Sequence, residues 1–237
     1  LRRQRQMCIR DRVWSYFRLD DDLPEILAAL DKDAYIHEAI EKYRGLRLIR
    51  QDTWECLISY VCSRRTKIEQ IKRVIQSLSR TFGRKIDGEH YTFPTPQALA
   101  HAGLDDIERC DLPYGKGEAE DISAIARRTV DLGVNLNDLR FVSYETAKRR
   151  LLSLYSGHGV GQKVADCVCL FALEKLEAIP IDVWVKRVLL ESYPQLYDPI
   201  FLRKVSQKRQ LTPAEYTRLS LTAREYFGDY VGYAQEY

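Results

Sequence analysis

The chain has 237 residues, 45% of them hydrophobic and 30% charged, with 37 Lys+Arg against 34 Asp+Glu. That is the make-up of a globular protein of one large domain or two small ones, and no apolar run approaches the roughly 20 residues needed to cross a bilayer. A net charge of +3 is too small to argue nucleic-acid binding from the total, so such a reading must rest on clustering.

Residues Leu1 to about Arg12 (LRRQRQMCIRDR) carry no apolar period. The string resembles translated sequencing adapter, and we read it as a non-native or disordered tail rather than a basic arm gripping DNA. The natural chain is then expected to extend further at its N-terminus. Acidic residues and Pro24 ahead of an apolar run place a helix start near Leu23, and Asp33 to Tyr43 reads as a short helix closed by Gly45. Trp54, Leu57, Ile58 and Val61 follow the i, i+3, i+4, i+7 rule of a buried helix face, and Ile68 to Phe82 continues it to Gly83. The junction between these two helices, Ser63 to Lys67 (SRRTK), is basic, so Arg65, Thr66 and Lys67 can enter a duplex or grip phosphates; a solvated loop is the alternative. Asp87 to Thr92 reads as a hairpin remnant or a loop. Thr95 caps a helix with Pro96 at its first position. Leu112 to Gly117 is a loop, Ile122 to Leu132 a helix, and Ser143 caps Tyr144 to Tyr155. The six cysteines (Cys8, Cys56, Cys62, Cys110, Cys167, Cys169) form no C-x-x-C pair, which predicts reduced, mostly buried thiols in a cytosolic protein.

The stretch from Gly157 to Trp184 (GHGVGQKVADCVCLFALEKLEAIPIDVW) organises the rest. A tight turn, Gly159-Val160-Gly161, precedes a helical run with Val164, Val168, Phe171 and Ala172 on one face. Such a turn aims backbone N–H groups outward, and the helix dipole adds positive potential, which suits a DNA phosphate. Lys163 lies in the first turn, where the dipole disfavours a cation; a lysine made neutral is a nucleophile able to form a Schiff base with a sugar carbon. After the break at Pro180, Asp182 opens a second helix, Val183 to Leu190. Its carboxylate can stabilise cationic character on a sugar, or simply cap the helix. Further on, Thr212-Pro213-Ala214-Glu215 is a capping box, and its helix runs to about Phe227. The coarse reading is about ten helices and no strand.

These residues resemble the helix–hairpin–helix DNA glycosylase superfamily, and within it the 8-oxoguanine DNA glycosylase/AP lyase branch. The likeness lies in Gly159, Val160, Gly161, Lys163, Val164, Ala165, Asp166 and Cys167, then in Pro180, Asp182 and Val183. Leu48 to Leu57 (LIRQDTWECL), Tyr16 to Asp20 (YFRLD), Phe93-Pro94 and Phe227 to Gln235 (FGDYVGYAQ) are similar too. The resemblance covers nearly everything from Trp14 to Tyr237. It implies Lys163 as Schiff-base nucleophile and Asp182 as activating carboxylate. It further implies Gln235 as reader of the Watson–Crick edge of a flipped purine and Cys167 on a pocket face. Gly159, Val160 and Gly161 would hold a phosphate. The family's asparagine-rich turn is replaced here by Arg65, Thr66 and Lys67, which puts the opposite-base preference in doubt. His158 stands where proline is usual. Trp184 stands where several relatives carry a phosphate-contacting histidine, with Lys186 and Arg187 beside it to take over that contact. The family's stacking aromatic would fall four residues after Gln235, past Tyr237.

The expectation is therefore an all-α helix–hairpin–helix glycosylase fold of two helical subdomains flanking a DNA groove. Residues 13–50 with 180–237 would form one subdomain and 51–179 the other, with 1–12 outside both. The implied activity is excision of oxidised purines, 8-oxoguanine above all, from duplex DNA in base excision repair, with AP lyase cleavage. No cofactor is required by that chemistry; a monovalent cation at the hairpin is compatible with the resemblance. No metal ligand set is expected, and no iron–sulfur cluster, because the cysteine-rich loop of some relatives is absent. The expected partner is damaged double-stranded DNA. No membrane contact is expected. The chain should be monomeric and cytoplasmic, nucleoid-associated if prokaryotic. Two alternatives remain at this point: a same-fold glycosylase for another damaged base, and a non-catalytic helix–hairpin–helix DNA-binding protein. Against the second stands the presence of both Lys163 and Asp182, since gripping a phosphate needs neither.

Overall fold

The structure, a computed structural model, describes residues 2–64, 66–154 and 160–237. Among these residues there are fourteen α-helices and one two-stranded antiparallel ribbon. In chain order come α1 (Arg2–Tyr16), α2 (Leu23–Leu30) and α3 (Ala34–Lys42), then α4 (Thr53–Cys62) and α5 (Ile68–Phe82). The ribbon β1 (Lys85–Asp87) with β2 (His90–Tyr91) follows, then α6 (Pro96–His101), α7 (Leu104–Glu108), α8 (Lys116–Asp131) and α9 (Tyr144–Leu154). The last five are α10 (Gln162–Ala172), α11 (Val183–Ser192), α12 (Pro199–Ser206), α13 (Pro213–Phe227) and α14 (Val231–Ala234). No described helix is long and apolar enough to cross a membrane.

The residues fall into two compact units, one of Leu1–Gln51 with Cys169–Tyr237 and one of Asp52–Val168. The division thus falls inside α10 and not at residue 179. The physical reason is the last turn of α10 and the segment after it. The Gln51 N–H donates to the Phe171 carbonyl at 2.8 Å, and Arg18 donates to the Leu170 carbonyl at 3.4 Å. Arg18 is buried, and its guanidinium also meets Glu174 at 2.8 Å. Arg50 holds Glu174, Asp20 and Asp21 at 2.6–3.0 Å. Glu174 takes a left-handed turn (φ 60), and the Lys175 N–H bonds back to Cys169 at 3.0 Å, which ends the helix. Arg18, Arg50 and Gln51 therefore belong with the segment after Val168.

Local chemistry explains half of the helix starts. Asp22, Asp33, Asp52, Thr95, Asp182, Asp198 and Thr212 all cap helices through their side chains. Thr212 and Glu215 close the capping box the sequence predicts. The tail reading of residues 1–12 meets a helix instead: Arg2–Tyr16 is continuous. Arg, Gln, Met and Ile are good helix formers, but no apolar stripe runs along them, so periodicity could not disclose the helix. The α8 helix begins at Lys116, six residues before the apolar run that predicts it. The short ribbon at 85–91 answers the hairpin reading, in exposed residues.

In the Asp52–Val168 unit, Leu57, Ile58, Val61, Leu78, Ile122 and Leu151 are fully buried. The Trp54 indole donates to the Pro94 carbonyl at 2.8 Å, joining two segments on which the family resemblance rests. None of the six cysteines forms a disulfide, and all but Cys8 are buried. Burial pushes the Cys62 thiol up, with the Glu118 charge adding to it.

Candidate active site and DNA interface

In the Asp52–Val168 unit the site residues cluster on α10. Val160 is buried and Gly161 exposed, and the Gly161 carbonyl accepts from Ala165 at 3.0 Å to open the helix. Gly159 and Arg65 lie outside the described residues. A Cβ on Gly161 would meet nothing within 4 Å, so this backbone is open to an approaching group. The first N–H groups of a helix have no intrahelical acceptor, and here they face the end at which an anion is favoured. Lys163, half-buried in that first turn, lays its ammonium over the Tyr60 ring, 4.7 Å from the centroid. One turn on, Asp166 is fully buried. Its carboxylate accepts from the Tyr144 hydroxyl at 2.7 Å and from Lys148 Nζ at 2.9 Å, which ties α10 to α9. Cys167 is buried beside it. Thr66 and Lys67 precede α5 and line a shallow depression with Gln70, Arg73 and Asp111. Arg64 turns inward, to Asp121 at 2.6 Å.

In the other unit Asp182 caps α11, with the Trp184 and Val185 N–H groups both donating to Oδ1 at 2.8 Å. The capping role is therefore real. It uses one carboxylate oxygen and fixes the plane of the other. The segment before the cap is pinned by buried Tyr216, whose hydroxyl accepts from the Ile181 N–H at 3.0 Å and donates to the Ile179 carbonyl at 3.3 Å. Lys186 donates to the Lys208 carbonyl at 2.5 Å, and burial lowers its pKa, with Glu215 opposing. Trp184 is 68% exposed. It lines a cavity of about 170 Å³ with the C-terminal Gln235, Glu236 and Tyr237. The Glu236 carboxyl is raised by desolvation, with its Gln235 hydrogen bond opposing and the charge of Asp182 adding a smaller push upward. Asp182, Trp184 and Gln235 are thus brought to one place. Gly232 makes that possible: its N–H donates to the Leu176 carbonyl at 2.8 Å, and a Cβ there would stand 2.7 Å from that oxygen and 2.9 Å from the Ala178 carbonyl.

Residues 58–195 match the HhH-GPD superfamily of base excision DNA repair proteins, and residues 3–57 match the 8-oxoguanine DNA glycosylase N-terminal domain. The chain belongs to the HhH-GPD superfamily. It is 30% identical over 251 residues to an N-glycosylase/DNA lyase of Saccharomyces cerevisiae, covering 97% of this chain and 65% of that protein. A probable N-glycosylase/DNA lyase of Methanothermobacter thermautotrophicus is 29% identical over 212 residues, with coverage of 80% and 65%. The chain thus spans about two thirds of the length of these relatives. Among solved structures, MBOgg1 in complex with a low-affinity DNA ligand superposes with TM-score 0.78 at 34% identity, over 95% of this chain and 72% of that one. The apo 8-oxoguanine glycosylase/lyase of Clostridium acetobutylicum gives TM-score 0.78 at 28% identity, over 96% and 73%.

The HhH-GPD match contains both Lys163 and Asp182, and the N-terminal match begins at residue 3, within the string read as a tail. Reasoning from sequence missed the partners that hold these residues. Tyr60, Tyr144 and Lys148 lie 18 to 103 residues from the α10 groups they touch, a separation that carries no local signal. Glu236, on the same cavity as Gln235, carries no motif that marks it in the sequence. The Arg18–Arg50–Glu174 network had a signal, the paired YFRLD and LIRQD strings, which register as resemblance without a stated cause.

Proposed function

We propose that this HhH-GPD chain is a bifunctional DNA glycosylase and AP lyase that removes oxidised purines, 8-oxoguanine foremost, from duplex DNA. What carries the reading is the presence, within one family match, of Lys163 in the first turn of α10 and of Asp182 at the cap of α11. Relatives named N-glycosylase/DNA lyase, and neighbours named 8-oxoguanine glycosylases with and without DNA, support it.

Chemistry on a base inside a duplex requires the nucleotide to be turned out of the stack. The hairpin at 159–161 grips a backbone phosphate, and Thr66, Lys67 and the neighbouring Arg65 enter the duplex beside the extruded base. Gln235 meets the Watson–Crick edge of the purine, with Cys167 on a pocket face, and Trp184 and Lys186 contact phosphate. Lys163 attacks C1′ as its neutral amine. The C1′–N9 bond breaks and the base leaves with its electron pair, taking up a proton. The sugar ring opens to an imine on Lys163. Loss of a C2′ proton then expels the 3′ phosphate, which nicks the strand 3′ to the abasic site. Asp182 stabilises the cationic character that develops on the sugar. No step of this route calls on a cofactor, and a monovalent cation at the hairpin would only order the phosphate clamp. The enzyme acts as a monomer, in the compartment that holds the DNA.

The departure of the 65–67 turn from asparagine favours a second reading, a glycosylase of the same fold with another lesion as substrate. A labelled duplex carrying 8-oxoguanine, run beside an undamaged one and a panel of other lesions, tests the choice. Nicking of the 8-oxoguanine strand alone is expected. Cleavage of a different lesion with 8-oxoguanine untouched would overturn the main reading. Asp182→Asn is expected to slow base removal while leaving duplex affinity unchanged.

A further inference from the structure

A charged surface of the Leu1–Gln51 and Cys169–Tyr237 unit lies where α11 meets the loop between α12 and α13. The string there is RKVSQKRQ, Arg203 to Gln210, and from Asp198 to Glu215 the chain carries four cations and no acid between. Its geometry is set by Glu215, a buried carboxylate in the first turn of α13. Oε2 accepts from the Thr212 N–H at 2.9 Å, which closes the capping box. Oε1 accepts from Lys208 Nζ at 2.6 Å and meets Lys204 Nζ at 3.1 Å. Lys186, half-buried at the start of α11, donates to the Lys208 carbonyl at 2.5 Å and so ties the loop to that helix.

Three ammonium groups are thus gathered about one carboxylate, which cancels one positive charge and leaves two. Among the described residues no other carboxylate pairs with Lys186, Lys204 or Lys208, and Arg209, exposed beside them, makes no ion pair. One lysine suffices to neutralise Glu215, and each further one adds repulsion. An ammonium has three N–H donors. Each lysine has used one, on the carboxylate or on a carbonyl, and Lys204 and Lys208 reach solvent. The remaining donors and the uncancelled charge fit a partner that brings several phosphate oxygens in a row. The surface is also aligned with Asp182. The Lys186 N–H bonds to the Asp182 carbonyl at 3.0 Å, so the two residues lie on one side of α11, roughly 6 Å apart along its axis.

We propose that the loop between α12 and α13 is a phosphate clamp for one DNA strand: Lys204, Lys208 and Arg209 hold the backbone beyond the phosphate at Lys186, and buried Glu215 fixes the spacing of the two lysines. The inference rests on the proposed function, which puts Asp182 at the sugar of the turned-out nucleotide and Lys186 at a phosphate. It deepens that reading by extending the contact along the same strand, from Lys186 across to the loop that the Lys208 carbonyl joins to it. The contact is to backbone alone, so it carries no preference for sequence or lesion.

The test is the salt dependence of duplex binding. Anisotropy affinities for an undamaged duplex and an 8-oxoguanine duplex are measured between roughly 50 and 200 mM KCl. Each cation that leaves a phosphate lowers the slope of log K against log[salt] by about 0.9. K204A/K208A should therefore lower it by about 1.8, equally on both duplexes. K42A/K85A removes the same net charge from α3 and from the ribbon, and should leave the slope as it is. Partial unfolding would shrink the binding amplitude without altering the slope. A wild-type slope in K204A/K208A, or the same fall in K42A/K85A, overturns the clamp. Should K204A/K208A fail to fold because it strands the Glu215 charge, R209A decides, since it leaves that carboxylate paired. A fall of about 0.9 upholds the clamp, and no fall overturns it. Excision of 8-oxoguanine is followed in parallel. A wild type that binds with the slope sensitive to Lys204 and Lys208, yet excises nothing, sinks the proposed catalysis and leaves the clamp standing. A wild type that binds neither duplex sinks both.

Discussion

Replacing Lys148 by Met is expected to destabilise the Asp52–Val168 unit by about 3 kcal/mol. The magnitude follows from geometry. Asp166 is fully buried, and its carboxylate takes one hydrogen bond from Tyr144 at 2.7 Å and one from Lys148 at 2.9 Å. Breaking a buried ion pair from one side costs roughly 3–5 kcal/mol, because the remaining charge stays in a poor solvent. The lower end applies, since the Lys148 side chain is 14% exposed and water can reach the place it vacates. Methionine keeps most of the aliphatic stem, so lost packing adds little. Asp166→Asn should cost less, about 1–2 kcal/mol, because the Tyr144 bond survives and the Lys148 ammonium left behind, 14% exposed, can turn to water. The double variant should be more stable than Lys148→Met alone, giving a coupling of roughly 1.5 kcal/mol or more. Urea unfolding followed by circular dichroism gives these values, and the Tm of Lys148→Met should fall by roughly 6–12 °C for a chain of this size. A Lys148→Met midpoint indistinguishable from wild type, or strictly additive single effects, would refute the buried-pair argument.

Other outcomes follow from the same coordinates. Gly232→Ala places a methyl carbon 2.7 and 2.9 Å from two backbone oxygens that cannot rotate away; a loss of about 2–3 kcal/mol is expected, read as a lowered Tm, and an unchanged Tm would show that α14 is not seated as described. Glu215 is held at about 2 by Lys208 first, then by the Thr212 N–H, against an ordinary value of 4.5. A depressed carboxyl contributes stability that is fully present above pH 4.5 and disappears as pH falls toward 2. Glu215→Gln should therefore lower the urea midpoint at neutral pH and flatten its fall across that window; a parallel fall in both proteins would contradict the assignment. Native protein should show one fast-reacting thiol, Cys8, and five that label only on unfolding. A second fast thiol would count against the packing.

Much of this architecture could be read from the sequence because the signals are local. Asp33, Asp182 and Thr212 announce helix starts through their own side chains, and the spacing of Trp54, Leu57, Ile58 and Val61 announces a buried face. Where no such signal exists, the reading misses. The α1 helix has helix-forming residues without an apolar stripe, and α7 and α14 are too short to develop one. The division of the chain at Val168 depends on hydrogen bonds from Arg18 and Gln51 to carbonyls more than a hundred residues away. The site shows the same split. Lys163 and Asp182 stand out by position, one in the first turn after a glycine hairpin and one before a helix after proline. The groups that orient them do not, because Tyr60 and Tyr216 acquire their partners only through the fold.

The most direct measurement of the central claim is covalent trapping. Borohydride added during reaction with an 8-oxoguanine duplex reduces an imine to a stable amine, so a protein–DNA adduct should form with wild type. With Lys163→Gln, which keeps a side chain of similar length and cannot form the imine, no adduct should appear on the same duplex while affinity for it persists. Persistent trapping in Lys163→Gln, or none in a wild-type protein that binds the lesion, would contradict the account.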